Sequence, residues 1–198
     1  MFKDKEQVLI VPVNYVSHIN NGFTGSDLKT KNSYSLYDSI GIYKPLYEIR
    51  KNICLIRIST CLIVKNQYDE YLVKELYDKQ KRPNIEMGLN SYIKSSSGNY
   101  QAIYNQLNTM TYYTFKESLD FKFIGYIRDL ANDNVNSILG TVYYTESNKE
   151  DFAPKSKHEL YEHKWYNKQE LINRYGRATS WSKIIIDMIV DESIKEYI

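Results

Sequence analysis

The sequence predicts an α/β fold, and three stretches predict it. Asn52 to Lys65 carries ICLIRISTCLIV, a long β-branched apolar run suited to a central strand. Met87 to Phe115 reads as strand, loop and helix in succession. After it, Phe121 to Ile127 and Ser137 to Thr145 are two further strand-like runs, and Ser180 opens an apolar C-terminal helix. A chain of 198 residues can enclose one sizeable core, and no linker divides it, so a single domain over 1–198 is expected.

Along the chain, Val8-Leu9-Ile10-Val11-Pro12-Val13 is a first strand whose proline marks the end of regular pairing. His18 to Gly25 follows as a polar loop with Asn-Gly turn chemistry; His18 in it is read as structural or exposed rather than pocket-lining. Asp27 to Pro45 is polar and rich in tyrosine, an irregular cover. The strand at Asn52–Lys65 returns through Lys65-Asn66-Gln67 into a hairpin partner at Tyr68–Val73. Arg57 lies inside that apolar strand and is expected at the surface rather than in a cleft, because arginine is rarely buried without a partner.

Lys79 to Pro83, KQKRP, is a basic turn leading into the next strand, Met87 to Ile93. The loop Ser95-Ser96-Ser97-Gly98 then precedes a helix with Tyr100, Ile103, Tyr104, Leu107 and Met110 at helical spacing. The property that stands out is an absence: no Asp or Glu lies between Glu86 and Glu117. Beyond the helix, Asp129 to Asn136 is a turn, His158 to Tyr166 an extended segment, and Gln169-Glu170-Leu171 a short helix. Ser180 caps the last helix, whose broad apolar face is Trp181, Ile184, Ile185, Met188 and Ile189.

Composition narrows the classes of function. The formal net charge is +2 with acids and bases interspersed, which gives no basic balance of the kind that favours nucleic acid or an anionic membrane. There is no signal-like or membrane-spanning apolar run, and a cytoplasmic location is expected. Cys54 and Cys61 are the only cysteines; both are expected in the core, without a disulfide, and three scattered histidines give no support for zinc. The 20 tyrosines, with many Lys, Asn and Ile, hint at an AT-rich genome such as that of a phage or a low-GC bacterium.

The stretch from Met87 to Phe115 resembles the signature region of the Nudix hydrolases, G-x5-E-x7-R-E-U-x-E-E-x-G-U, with U aliphatic. Met87-Gly88-Leu89-Asn90-Ser91-Tyr92-Ile93 is similar to the LGIGGHI strand ending of one phosphoesterase branch, with Ser91 in place of the box glycine. Ser97 then stands at the first glutamate, Asn105 at the arginine, Gln106, Thr109 and Met110 at the helical glutamates, and Tyr112 at the closing glycine. Phe121–Ile127 with Ser137–Thr145 resembles the branch's two later strands, and Glu162-His163-Lys164-Trp165 its acid-x-x-Trp. Arg177-Ala178-Thr179-Ser180-Trp181-Ser182 overlays R-M-E-S-W-S, with Thr179 at the glutamate. The resemblance implies a Nudix-like α/β/α sandwich with a mixed β-sheet, and a site in which helical carboxylates hold divalent cations against a diphosphate. Neutral side chains at those positions supply lone pairs without charge, whereas hard cations are held by anionic oxygen.

The expected protein is therefore a Nudix-fold domain that binds a nucleotide or nucleotide-derived ligand without hydrolysis, with no catalytic residue, metal or cofactor. Its candidate cleft comprises Arg82, Tyr92, Lys94, Asn105, Gln106, Thr109 and Tyr126. Arg82 and Lys94 would meet phosphate; Tyr92, Tyr100, Tyr104 and Tyr126 would stack a base or pack in the core. Two alternatives are a module that acts on a partner protein through Tyr34 to Tyr47, and a residual phosphohydrolase using Glu117, Asp120, Glu146 and Glu162.

Overall fold

The structure, a computed structural model, describes residues 7–12, 19, 21–25, 42–49, 54–77, 83–93, 99–129, 138–147, 152 and 161–198. Among these the strands are β1 (Gln7–Pro12), β2 (Gly22–Gly25), β3 (Ile42–Pro45), β4 (Leu55–Lys65), β5 (Tyr71–Tyr77), β6 (Pro83–Met87), β7 (Leu89–Tyr92), β8 (Lys122–Asp129), β9 (Ile138–Glu146) and β10 (Tyr161–Tyr166). The helices are α1 (Leu46–Ile49), α2 (Asn99–Phe115), α3 (Lys168–Arg174) and α4 (Ser180–Val190). They form the mixed α/β fold expected, with a mixed sheet in which β10, β5, β4, β9, β8 and β2 are hydrogen-bonded in that order. Two compact units are distinguished: Met1–Cys61 with Ser91–Leu107 and Phe123–Val142, and Leu62–Asn90 with Asn108–Lys122 and Tyr143–Ile198. No helix among the described residues is long and apolar enough to cross a membrane.

In the first unit, β1 is the apolar strand expected, with Val8, Leu9, Ile10 and Val11 buried and the strand ending at Pro12. Each such buried side chain contributes about 1.5–3 kcal/mol relative to exposure. Strand β1 is flanked by β3, through Leu9↔Tyr43, and by β4, through Ile10↔Arg57. The end of the segment expected to be irregular, Ile42–Pro45, is therefore a paired strand, and the Tyr43 hydroxyl turns inward, where burial raises its pKa. Gly22–Gly25, expected in a loop, is a strand paired with β8. The pairing needs glycine opposite: at Gly125, φ is 155° and an added Cβ would lie 2.3 Å from the Thr24 carbonyl oxygen.

Strand β4 begins at Leu55, later than expected, so Cys54 lies outside it and is exposed; Cys61, inside it, is buried. Arg57 corrects the surface expectation as well. It is buried at 7% exposure, with its guanidinium 5.0 Å from the centroid of the Tyr92 ring, and that ring face supplies the partner that sequence alone did not reveal.

In the second unit, the turn between β4 and β5 is longer than expected. The Asn66 side-chain oxygen accepts from the backbone N–H groups of Tyr68 and Glu70, and Asp69 is left-handed at φ 64°, so β5 starts at Tyr71 rather than Tyr68. At the end of β6, Gly88 kinks the chain with φ 62° while its N–H donates to the Leu72 carbonyl at 2.8 Å. The kink releases the strand from β5 so that β7 pairs with β4 instead.

Helix α2 runs past Tyr112 to Phe115 and stops at Lys116, a left-handed residue whose N–H donates to the Tyr112 carbonyl. Its buried side chains Ile103, Leu107, Thr111, Thr114 and Phe115 recur at helical spacing and carry the helix to Phe115, the end of the stretch expected to hold it. Tyr104 is exposed and Met110 half-buried, so the inward stripe differs from the one expected.

Helix α3 is longer than the expected Gln169–Leu171 because of a complete capping box: the Asn167 side chain accepts from Glu170 N–H and the Glu170 carboxylate accepts from Asn167 N–H. Helix α4 is capped at Thr179 rather than Ser180. It buries Ser182, Ile185, Ile186, Met188 and Ile189, while Trp181 and Ile184, expected inside, are half-buried. Ser182 turns inward because its hydroxyl oxygen accepts from the Met87 N–H at 3.0 Å and lies 2.7 Å from Thr179 Oγ1.

Candidate functional site

Of the residues expected to line a cleft, Arg82 and Lys94 lie outside the described residues, as do His18, Ser97 and the Tyr100 side chain. Tyr92, on β7, is half-buried against the cluster of Val8, Ile10 and Ile49, and its ring carries the Arg57 guanidinium. Tyr126, on β8, is half-buried with its ring 5.1 Å from Phe123 in an edge-to-face contact. Burial pushes its hydroxyl pKa up to about 12. On α2, Asn105 and Thr109 are exposed one helical turn apart, and Gln106 is half-buried. That face carries no charge over the whole of Asn99–Phe115, and Tyr104, Tyr112 and Tyr113 stand exposed beside these amides and hydroxyls.

Two of the acids outside this helix, Glu146 and Glu162, are engaged elsewhere. Glu146 accepts from the Tyr144 hydroxyl at 2.9 Å, and Glu162 accepts from Tyr77 at 2.9 Å and pairs with Lys164 at 3.3 Å. Asp120 is exposed and contributes its backbone carbonyl to Thr145, and Glu117 is half-buried. Among the described residues no three of His, Cys, Asp and Glu are grouped to hold a metal ion.

Two side-chain systems that sequence reasoning missed lie in the second unit, on opposite faces of β10. On one face, Glu75 is buried with its side chain 4% exposed, accepting from Lys164 at 2.7 Å, Arg174 at 3.2 Å, and the Tyr166 hydroxyl. Burial works to raise the Glu75 pKa, but the hydrogen bonds from Lys164 and Tyr166 and the two cationic charges outweigh it and hold the carboxyl below its ordinary range. Lys164 is raised in return, chiefly by its bond to Glu75.

On the other face, Tyr161, His163 and Trp165 alternate along β10 and continue through Phe152 and Phe115. Lys74 lies 4.7 Å from the Tyr161 ring centroid and 3.2 Å from Glu86 Oε2, which also accepts from Asn90 Nδ2 at 3.3 Å. The signal in the sequence is the period-two alternation of YEHKWY, with Tyr161, His163 and Trp165 on one face and Glu162, Lys164 and Tyr166 on the other.

No family model matches the sequence, and no curated protein matches it. Solved structures do. Tm1382, a protein assigned as a Nudix hydrolase, superposes with a TM-score of 0.76 at 16% identity, over 94% of this chain and 100% of that one. The MutT protein from Methanosarcina mazei Go1 superposes with a TM-score of 0.51 at 10% identity, over 70% of this chain and 95% of its own. At such identities the likeness establishes the fold, which is Nudix-like.

Proposed function

We propose that this chain is a cytoplasmic Nudix-fold protein that binds a nucleotide or nucleotide-derived ligand without hydrolysing it. The observation that carries the reading is the neutral helix α2: Asn105, Gln106 and Thr109 stand where the resemblance puts an arginine and two glutamates, and no acid lies between Glu86 and Glu117 in any register. Uncompensated divalent charge against a neutral helix is disfavoured by several kcal/mol or more in a partly buried site. Ligand retention without a metal then falls to cations and rings, with Arg82, Lys94 and Tyr126 as the residues proposed to meet it.

The test is thermal stability of the purified protein against a panel of nucleotides and dinucleotides, in Mg2+ and in EDTA. A ligand at a hundredfold excess over its Kd stabilises by about 2.7 kcal/mol, an upward shift of roughly 5–10 °C for a chain of this size. The shift is expected in EDTA as in Mg2+; a shift seen only with Mg2+ overturns the reading. A second reading, a surface that acts on a partner protein, is favoured by Tyr104, Tyr112 and Tyr113, which are 43%, 54% and 70% exposed on one uncharged helix. Absence of any shift across the panel transfers the weight to it.

A further inference from the structure

Three strands of the second unit bring a ring-binding surface and a hydrogen-bonding edge together on one face. The register pairs Glu86 with Lys74 and Lys74 with His163, so these three positions lie in line across β6, β5 and β10 with their side chains on the same side. Tyr161 and Trp165 flank His163 on that side. Their rings form a chain with Phe152, with centroids 5.2 Å apart for Tyr161 and His163, 5.6 Å for His163 and Phe152, and 5.7 Å for Phe152 and Trp165. All four rings are partly exposed; Phe115 and Phe152 stack on Trp165 and Lys74 lies over the Tyr161 ring, which leaves the exposed rims of the rings for a flat heterocycle to pack against.

The edge has a definite donor and acceptor pattern. Glu86 Oε2 is saturated by Lys74 and Asn90, and the Asn90 donor bond fixes the orientation of its amide. Glu86 Oε1 and Asn90 Oδ1 take no hydrogen bond from the described residues. The Gly88 kink is what folds Asn90 back onto Glu86, four residues earlier. Lys74 is balanced by Glu86, so the surface attracts no net anion; it presents two acceptors beside a cluster of rings. A complementary ligand has adjacent donors on the edge of a planar ring. Guanine, with N1–H and the 2-amino group side by side, has that pattern; adenine places an acceptor, N1, next to its amino group.

We propose that Tyr161, His163, Trp165 and Phe152, together with Glu86 and Asn90, form a site for an amino-substituted heteroaromatic ring of the guanine type. The proposal deepens the nucleotide-binding reading by locating the ring, and it rests on that reading for the rest of the ligand. Its test uses nucleosides, which carry no phosphate. The chain has two tryptophans, so Trp181→Phe leaves Trp165 as the fluorescent reporter on the site. Guanosine is expected to quench it; inosine, which lacks the 2-amino donor, to bind about tenfold more weakly; and adenosine more weakly still.

Glu86→Gln in the same background is expected to abolish the guanosine preference, and the three-nucleoside comparison on the unaltered site needs no variant there. Equal binding of the three nucleosides, no quenching by any, or a preference that survives Glu86→Gln overturns the proposal. Should nucleotides stabilise the protein while Trp165 stays silent, this site fails and the nucleotide-binding reading stands. Selective guanosine binding with no retention of intact nucleotide in EDTA leaves this site standing and sinks that reading.

Discussion

Gly88→Ala is the substitution whose cost follows most directly from the geometry. Gly88 has φ 62°, and a Cβ built there would lie 2.1 Å from the Leu62 carbonyl oxygen and 2.9 Å from its carbon, both backbone atoms of a central strand. A left-handed alanine costs about 1–2 kcal/mol before any contact is counted. Relief of the overlap requires the kink to move off β4, which strains the 2.8 Å bond from Gly88 N–H to Leu72; a buried group left unpaired costs about 1–3 kcal/mol. Together these give about 2–5 kcal/mol, a fall in Tm of roughly 4–20 °C for a domain of this size. Thermal and urea unfolding followed by circular dichroism measure it. Gly176→Ala is the control: nothing lies within 4 Å of its Cβ position, and a change within about 0.5 kcal/mol is expected. A Gly88→Ala protein within about 1 kcal/mol of the parent would refute the steric argument.

Other perturbations test separate parts of the account. Glu75→Gln should destabilise by about 2–4 kcal/mol, because it leaves Lys164 and Arg174 without their buried counter-charge. Since the folded-state pKa of Glu75 is depressed, its contribution is complete above the ordinary value of 4.5 and is lost as pH falls through the lower folded value; acid unfolding of Glu75→Gln should lack that component. Asn167→Ala removes half of the capping box and should cost about 1 kcal/mol by urea denaturation. Lys116→Gly relieves a left-handed residue at φ 59° and should raise stability by up to about 1 kcal/mol, measured the same way.

Elements with strong local patterns were legible in the sequence. The apolar run of β4, the alternating residues of β8 and β9, and the strand, loop and helix order around β7 and α2 follow from periodicity and turn chemistry. Positions decided by tertiary partners were not. Arg57 reads as a surface residue until the Tyr92 ring is placed beside it, and Gly22–Gly25 reads as a turn until β8 supplies Gly125 opposite. The inward face of helix α2 was not legible either, because Thr111 and Thr114, polar in sequence, are buried on it while Tyr104 is exposed. Of the candidate cleft, Tyr92 and Tyr126 were placed on the right strands by the pattern, whereas Glu75 and Glu86 gained their cationic partners from residues 12 to 99 positions away.

The central claim is retention without hydrolysis, and the recovered ligand tests it most directly. The protein is incubated with a stabilising nucleotide and Mg2+, denatured, and the released ligand is resolved by chromatography. The account predicts the intact nucleotide in stoichiometric amount, the same with Mg2+ as with EDTA. Mg2+-dependent appearance of a cleaved product would contradict it, and would return attention to Glu117, Asp120, Glu146 and Glu162 as carboxylates able to hold the metal.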